Sequence, residues 1–136
     1  MFGTNTLTSA GYSDAFLVKY DSNGNAVWAR RAGGLAGAYA SSVAVDNEGN
    51  ALITGTFSDV ATFGSVVLIG AAIPNTFVAK CDAQGNFLWA KRLALIGQVL
   101  SDDSNGRFNT IATDAQRNAY VGGSYYTTSF PGNGFI

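Results

Sequence analysis

The sequence predicts an all-β fold built from four-stranded antiparallel units, on three grounds. Glycine is frequent at 17 residues, proline rare at 2 and charge sparse at 12%, which suits many short strands joined by tight turns. The run from Asp14 to Arg31 recurs from Asn75 to Arg92, 61 positions later. Four short segments share one turn chemistry: Asp21–Asn25, Asp46–Asn50, Asp82–Asn86 and Asp114–Asn118.

Each repeated block reads as strand, turn, strand. In Phe16–Tyr20 one face carries Phe16, Val18 and Tyr20 and the other Leu17 and Lys19, the period of two that marks a half-buried strand. In the turns Asp21, Asp46 and Asp82 accept from the backbone ahead of them, and Gly24, Gly49 and Gly85 supply the positive φ that closes the hairpin. The fourth turn, opened by Asp114, has Arg117 at the glycine position, so either a non-glycine residue is strained there or the turn differs. The offset of 61 aligns Phe16 with Phe77, Lys19 with Lys80, Trp28 with Trp89 and Arg31 with Arg92, and also Phe2-Gly3 with Phe63-Gly64 and Leu7 with Leu68. A second pair, Val43–Phe57 and Ile111–Tyr125, is offset by 68. The seven-residue difference places an insertion between Trp89 and Asp114, in a longer loop around Gly97–Arg107.

Two hairpins per 61 residues give four strands per repeat, which fits the blades of a β-propeller better than a solenoid coil. With the inner strand taken first, residues 41–92 make one complete blade, 14–31 the outer hairpin of the preceding blade and 108–126 the inner hairpin of the next. Residues 1–136 then form a single β-propeller segment, with repeats at about 2–62 and 63–129 and a third opening at about 130–136. Two blades cannot close a ring. The expectation is a fragment of a longer chain, the alternative being copies assembled head to tail.

These residues resemble the bacterial and archaeal seven-bladed β-propeller repeat, or SBBP repeat. Residues 14–34 follow its pattern D-A-F-V-A-K-x-D-x-x-G-N-x-x-W-A-x-x-x-G-G, and residues 44–55 follow A-V-D-x-x-G-N-x-Y-V-T-G. The chain departs from the pattern at Gly37-Ala38, where an acidic pair is common, and at Ala94-Leu95, which replaces Gly-Gly. The resemblance implies a large multi-repeat protein that is exported to the cell surface or its surroundings, without shared catalytic residues.

Composition narrows the function classes. Eight basic and nine acidic residues leave a net charge of −1, which gives no electrostatic case for nucleic acid or an anionic membrane. No stretch approaches the ~18 apolar residues of a membrane span. Histidine is absent, removing the commonest general base and neutral metal ligand. Cys81 is the single cysteine, which excludes an internal disulfide framework. The segment from Met1 lacks the basic and apolar regions of a signal peptide, so an export signal would lie outside it.

Each conspicuous residue has a structural reading. Trp28 and Trp89 recur in register and suit blade-to-blade packing better than sugar stacking. The Asp turns place oxygens at alternate positions, as calcium loops do, but Ala83-Gln84 and Ala115-Gln116 break that pattern. Cys81 reads as a small buried hydrophobe, and Lys19 and Lys80 as members of structural ion pairs with an acid such as Asp14. No cofactor or metal is expected. Asp102, Asp103, Ser104 and Asn105, in the inserted loop, form the candidate ligand-binding loop.

The sequence therefore points to a non-catalytic propeller module, a scaffold or binding surface of an exported protein. Its expected partners are other propeller repeats and a protein or glycan ligand. The alternative is part of a propeller-fold enzyme, such as a lyase or glycosidase, with its catalytic residues elsewhere.

Overall fold

Among the described residues ten strands pair antiparallel, and four of their hairpins are closed by Asp-headed turns. The strands are β1 (Ala15–Tyr20), β2 (Ala26–Gly33), β3 (Ala38–Val45), β4 (Ala51–Phe57), β5 (Val60–Phe63), β6 (Val66–Ile69), β7 (Asn75–Cys81), β8 (Phe87–Leu93), β9 (Phe108–Thr113) and β10 (Ala119–Gly123). The computed structural model describes residues 2–72, 74–93 and 108–123. The order β3-β4-β7-β8 makes one complete four-stranded blade, and β9-β10 makes the hairpin that begins the next. The fold is thus all-β and propeller-like, with the complete blade where the repeat placed it.

One hairpin had no counterpart in the sequence reading. After β4 the chain leaves its blade and forms β5 and β6, and β5 pairs with β2 through Ala32↔Phe63 and Gly33↔Thr62. The Thr62 hydroxyl donates to the Gly33 carbonyl at 3.0 Å. The first sheet therefore runs β1-β2-β5-β6, so the outer half of one blade is extended by a hairpin belonging to the next. This explains why Phe2-Gly3 recurs at Phe63-Gly64. Phe2 and Asn5 exchange backbone hydrogen bonds at 2.8 and 3.0 Å, as the Phe63↔Val66 end of the β5–β6 hairpin is paired, and Gly3 and Gly64 both have φ 60°.

The blades stack through two apolar layers. Between the first sheet and the complete blade lie Leu17, Trp28, Ile53, Phe57, Phe63, Phe77 and Cys81, with Phe87 packed against them. Phe77 is fully buried and meets Phe63 edge to face at 4.7 Å, while Phe63 meets Phe87 at 5.5 Å, the geometry aromatic quadrupoles favour. A second layer joins Leu52, Val78 and Ile111, flanked by Ala44, Trp89, Leu93 and Val121. Central strands β4 and β7 are consequently buried on both faces, as expected for a sheet covered on two sides. In β1 only the Ala15–Leu17 face is buried, and the Phe16 and Tyr20 face is open, 56% and 53% exposed.

Truncating Phe77 removes a ring from a close-packed layer, so Phe77→Ala is expected to destabilise the chain by about 3–5 kcal/mol. The matching Phe16→Ala, at an open face, should cost under about 1 kcal/mol. Urea denaturation of both variants checks the contrast.

Candidate functional site

The four Asp turns are one device used four times. Asp21 Oδ1 accepts from the Asn23 and Asn25 amides at 2.9 and 2.8 Å, and Asn25 Nδ2 donates to Oδ2 at 3.1 Å. Asp46 and Asp82 repeat this pattern with Asn50 and Asn86, and Asp114 repeats its closing bonds with Asn118 at 2.8 Å each. Gly24, Gly49 and Gly85 take φ 82°, 80° and 89°. Arg117 takes φ 68° in the fourth turn, a left-handed backbone that a side chain resists, while its guanidinium reaches Glu48 of the adjacent turn at 2.5 Å. Hydrogen bonds from Asn25, Asn86 and Asn118 hold the Asp21, Asp82 and Asp114 carboxyls below the usual carboxylate range.

Asp46 differs in having a cation. Lys80 Nζ lies 2.9 Å from its Oδ2, and the Asp46 side chain is wholly shielded from solvent. Lys80 first and Asn50 second hold this carboxyl far below its ordinary value. The sequence reading gave Asp14 as an acid for the lysines, and the structure corrects it. Asp14 pairs with Arg31 at 3.1 Å, Lys80 with Asp46, and Lys19 donates to the Ala83 carbonyl at 3.3 Å. Strand register decides this, because Lys80 on β7 lies opposite Leu52 on β4, beside the Asp46 turn.

The turn Asp82–Asn86 is gripped by the preceding blade. Trp28 Nε1 donates to the Ala83 carbonyl at 3.0 Å, and Arg30 donates to Gly85 at 2.6 Å and Gln84 at 3.1 Å. Arg30 also lies 5.7 Å from the Trp28 ring centroid, within cation–π range. Trp28 is 7% exposed and Trp89 half-buried in the second apolar layer. Cys81 is fully buried, and burial pushes its thiol up to about 11, so it carries little thiolate near neutral pH.

Among the described residues the most exposed apolar side chains are Tyr12, just before β1, and Leu35, in the loop joining β2 to β3, neither of which sequence reasoning singled out. Tyr12 is 86% exposed and Leu35 81%, and the Tyr12 amide donates to the Leu35 carbonyl at 3.2 Å. Tyr39, 52% exposed, opens β3 beside Gly37. Asp14 anchors this end, accepting from the Ala10 amide at 2.6 Å as well as from Arg31, and Ala38 donates to the Ser13 carbonyl at 2.9 Å. Burial alone would raise the Asp14 carboxyl, but bonds from Ala10, Ser9 and Arg31 outweigh it and bring the carboxyl below the usual range. A side chain at Gly33 would run into Asp14 Oδ1 at 1.9 Å, which accounts for half of the Gly33-Gly34 motif. Asp102, Asp103, Ser104 and Asn105 lie outside the described residues, as does the opening of a third repeat at 130–136.

Residues 27–56, from β2 through β4, match the family model described as the SBBP beta-propeller repeat. An uncharacterized WD repeat-containing protein of Acanthamoeba polyphaga mimivirus is 27% identical over 136 aligned positions. The match covers 90% of this chain but 9% of that protein, so the chain spans less than a tenth of the relative's length. Fold, repeat and relative together define a propeller-repeat module.

Two predictions follow from the turns. Asp46 has a folded-state pKa below its unfolded value of about 3.9, so its stabilisation is complete above that pH and lost as pH falls toward the folded value. In Lys80→Met the folded-state value rises toward the unfolded one, so the loss should be smaller and complete at higher pH, and in Asp46→Asn the pH dependence below pH ~4 should shrink; urea titrations at stepped pH read both. Gly24→Ala is expected to cost about 1–2 kcal/mol of backbone strain. Gly85→Ala should cost more, because its Cβ would fall 2.9 Å from the Trp28 ring. Melting temperatures of the two variants give the comparison.

Proposed function

We propose that this chain is a non-catalytic propeller module of an exported protein, presenting a binding surface for protein or carbohydrate partners. The observation that carries this reading is the exposure of Tyr12 before β1, Leu35 in the β2–β3 loop and Tyr39 at the start of β3, on segments joined by backbone bonds and anchored by Asp14. Exposed aromatic and aliphatic groups on an anchored loop bind with little entropy left to lose. The acids nearest to catalytic use are engaged otherwise: Asp21, Asp46, Asp82 and Asp114 close turns, Asp14 anchors the loop and Glu48 pairs with Arg117. Propeller repeats, including those for which the viral relative is named, are a common platform for protein interactions, which supports a protein ligand. Export rests on the family resemblance of the repeat motifs.

Binding of the chain to immobilised polysaccharides and cell-surface proteins, measured beside a lyase and glycosidase screen, tests the proposal. Tyr12→Ser and Leu35→Ser are expected to weaken binding by about tenfold each while leaving the melting temperature unchanged. A reproducible turnover abolished by Asp102→Asn or Asp103→Asn would overturn it.

A further inference from the structure

The repeat supplies an internal standard for what an unfinished blade lacks. In the complete blade β4 pairs with β7 from Ala51↔Cys81 to Phe57↔Asn75. The counterpart of β4 is β10 and that of β7 is β1, and among the described residues each of these is a sheet edge. Side chains that are covered in the complete blade are open in the half-blades. Phe77 and Cys81 are 0% exposed, whereas their counterparts Phe16 and Tyr20 are 56% and 53%. Leu52 is 1% exposed and its counterpart Tyr120 60%. In the opposite sense Ile111 of β9, covered by the complete blade, is 6% exposed, while its counterpart Val43 on β3 of the complete blade is 54% exposed, where no further blade of this chain covers it among the described residues.

We propose that β10 of one copy of this chain adds to the β1 edge of a second copy, completing a blade between them. The register follows from β4–β7: Tyr120 opposite Lys19, Val121 opposite Val18 and Gly122 opposite Leu17. Three complementary features meet at once. Asp114 comes beside Lys19, as Asp46 meets Lys80 at 2.9 Å. Tyr120 enters the groove lined by Phe16, Leu17, Tyr20 and Val43, completing with Leu17 and Val43 the layer that Leu52, Val78 and Ile111 form within the chain. Trp89 reaches the Asp21–Asn25 turn as Trp28 reaches Asp82–Asn86. The space for it is open: a Cβ at Gly24 would meet nothing within 4 Å, where one at Gly85 meets Trp28 at 2.9 Å. A second copy is the occupant that this chain itself specifies, because each edge carries the sequence that the other's repeat partner carries. The pairing rests on the propeller architecture and not on what the module binds.

The blade strands among the described residues amount to two blades per copy, so about two to four copies of this 136-residue segment would supply a ring of roughly four to eight blades. The test is sedimentation of the 136-residue chain over a concentration series, joined to disulfide trapping between Val18→Cys and Val121→Cys copies mixed together. Paired strands bring the Cα atoms to about 4.5–5.5 Å, within disulfide reach, and the buried Cys81 stays inert. The expected result is one closed oligomer, with Val18→Cys crosslinking to Val121→Cys faster than to Ala119→Cys, two residues out of register. Lys19→Glu should weaken association by roughly tenfold or more through the unpaired Asp114, and Lys19→Arg should restore it. Lys19 also donates to the Ala83 carbonyl within its own copy, so the melting temperature of each variant is measured beside its association, and Lys19→Arg, which keeps a donor there, separates the two effects. A monomer at every concentration, or equal trapping in and out of register, overturns the proposal.

Discussion

A sheet that is apolar on both faces can bury them only between two other sheets, and this constraint governs the whole chain. The central strands β4 and β7 satisfy it, enclosed by the first sheet on one side and by β9-β10 on the other. What sets the spacing between blades is the grip on the turns. Trp28, Arg30 and Lys19 all donate to carbonyls of Ala83, Gln84 and Gly85, backbone groups that a free hairpin would leave to water. The turn must already be rigid to accept four such bonds, and the carboxylate of Asp82 makes it so.

Much of this was legible because the repeat appears twice. Paired positions at a fixed offset revealed the hairpins, the turn aspartates and a complete blade at residues 41–92, which the structure extends to Ala38 and Leu93. The β5–β6 hairpin was not legible as a strand pair, since four-residue strands carry little periodicity and its pairing partner, β2, lies in another blade. Its trace was the unexplained match of Phe2-Gly3 to Phe63-Gly64. Nor does a repeat disclose exposure. Phe16 and Phe77 occupy one register, yet one is open and the other enclosed, because burial depends on neighbours that sequence similarity does not locate.

The same reasoning explains the misplaced acid. Alternation put Lys19 and Lys80 opposite their apolar neighbours, and Asp14 was the acid named for them. The partner of Lys80 instead comes from the turn before the adjacent strand, a relation that only sheet register reveals. The loop patch of Tyr12, Leu35 and Tyr39 was missed for a related reason. Its residues belong to two connections that are remote in sequence and joined through the Tyr12–Leu35 and Ser13–Ala38 backbone bonds. The available signal was Gly33-Gly34, whose missing side chain admits Asp14.

Divergence between equivalent positions follows the surroundings as closely as the shared residues do. Cys81 stands where Tyr20 stands one repeat earlier, and a phenol would not fit a position with no exposed surface, between β4 and the first sheet. Arg117 stands where three turns have glycine. Its backbone conformation carries a cost of about 1–2 kcal/mol, and its ion pair with Glu48, exposed and screened by water, offsets only a small part of that. The remainder must be absorbed by the other bonds of the same turn. Asp114 supplies them, since it keeps its bonds to Asn118 and adds one from the Tyr120 hydroxyl at 2.9 Å. The aspartate, more than the glycine, is therefore what makes the turn.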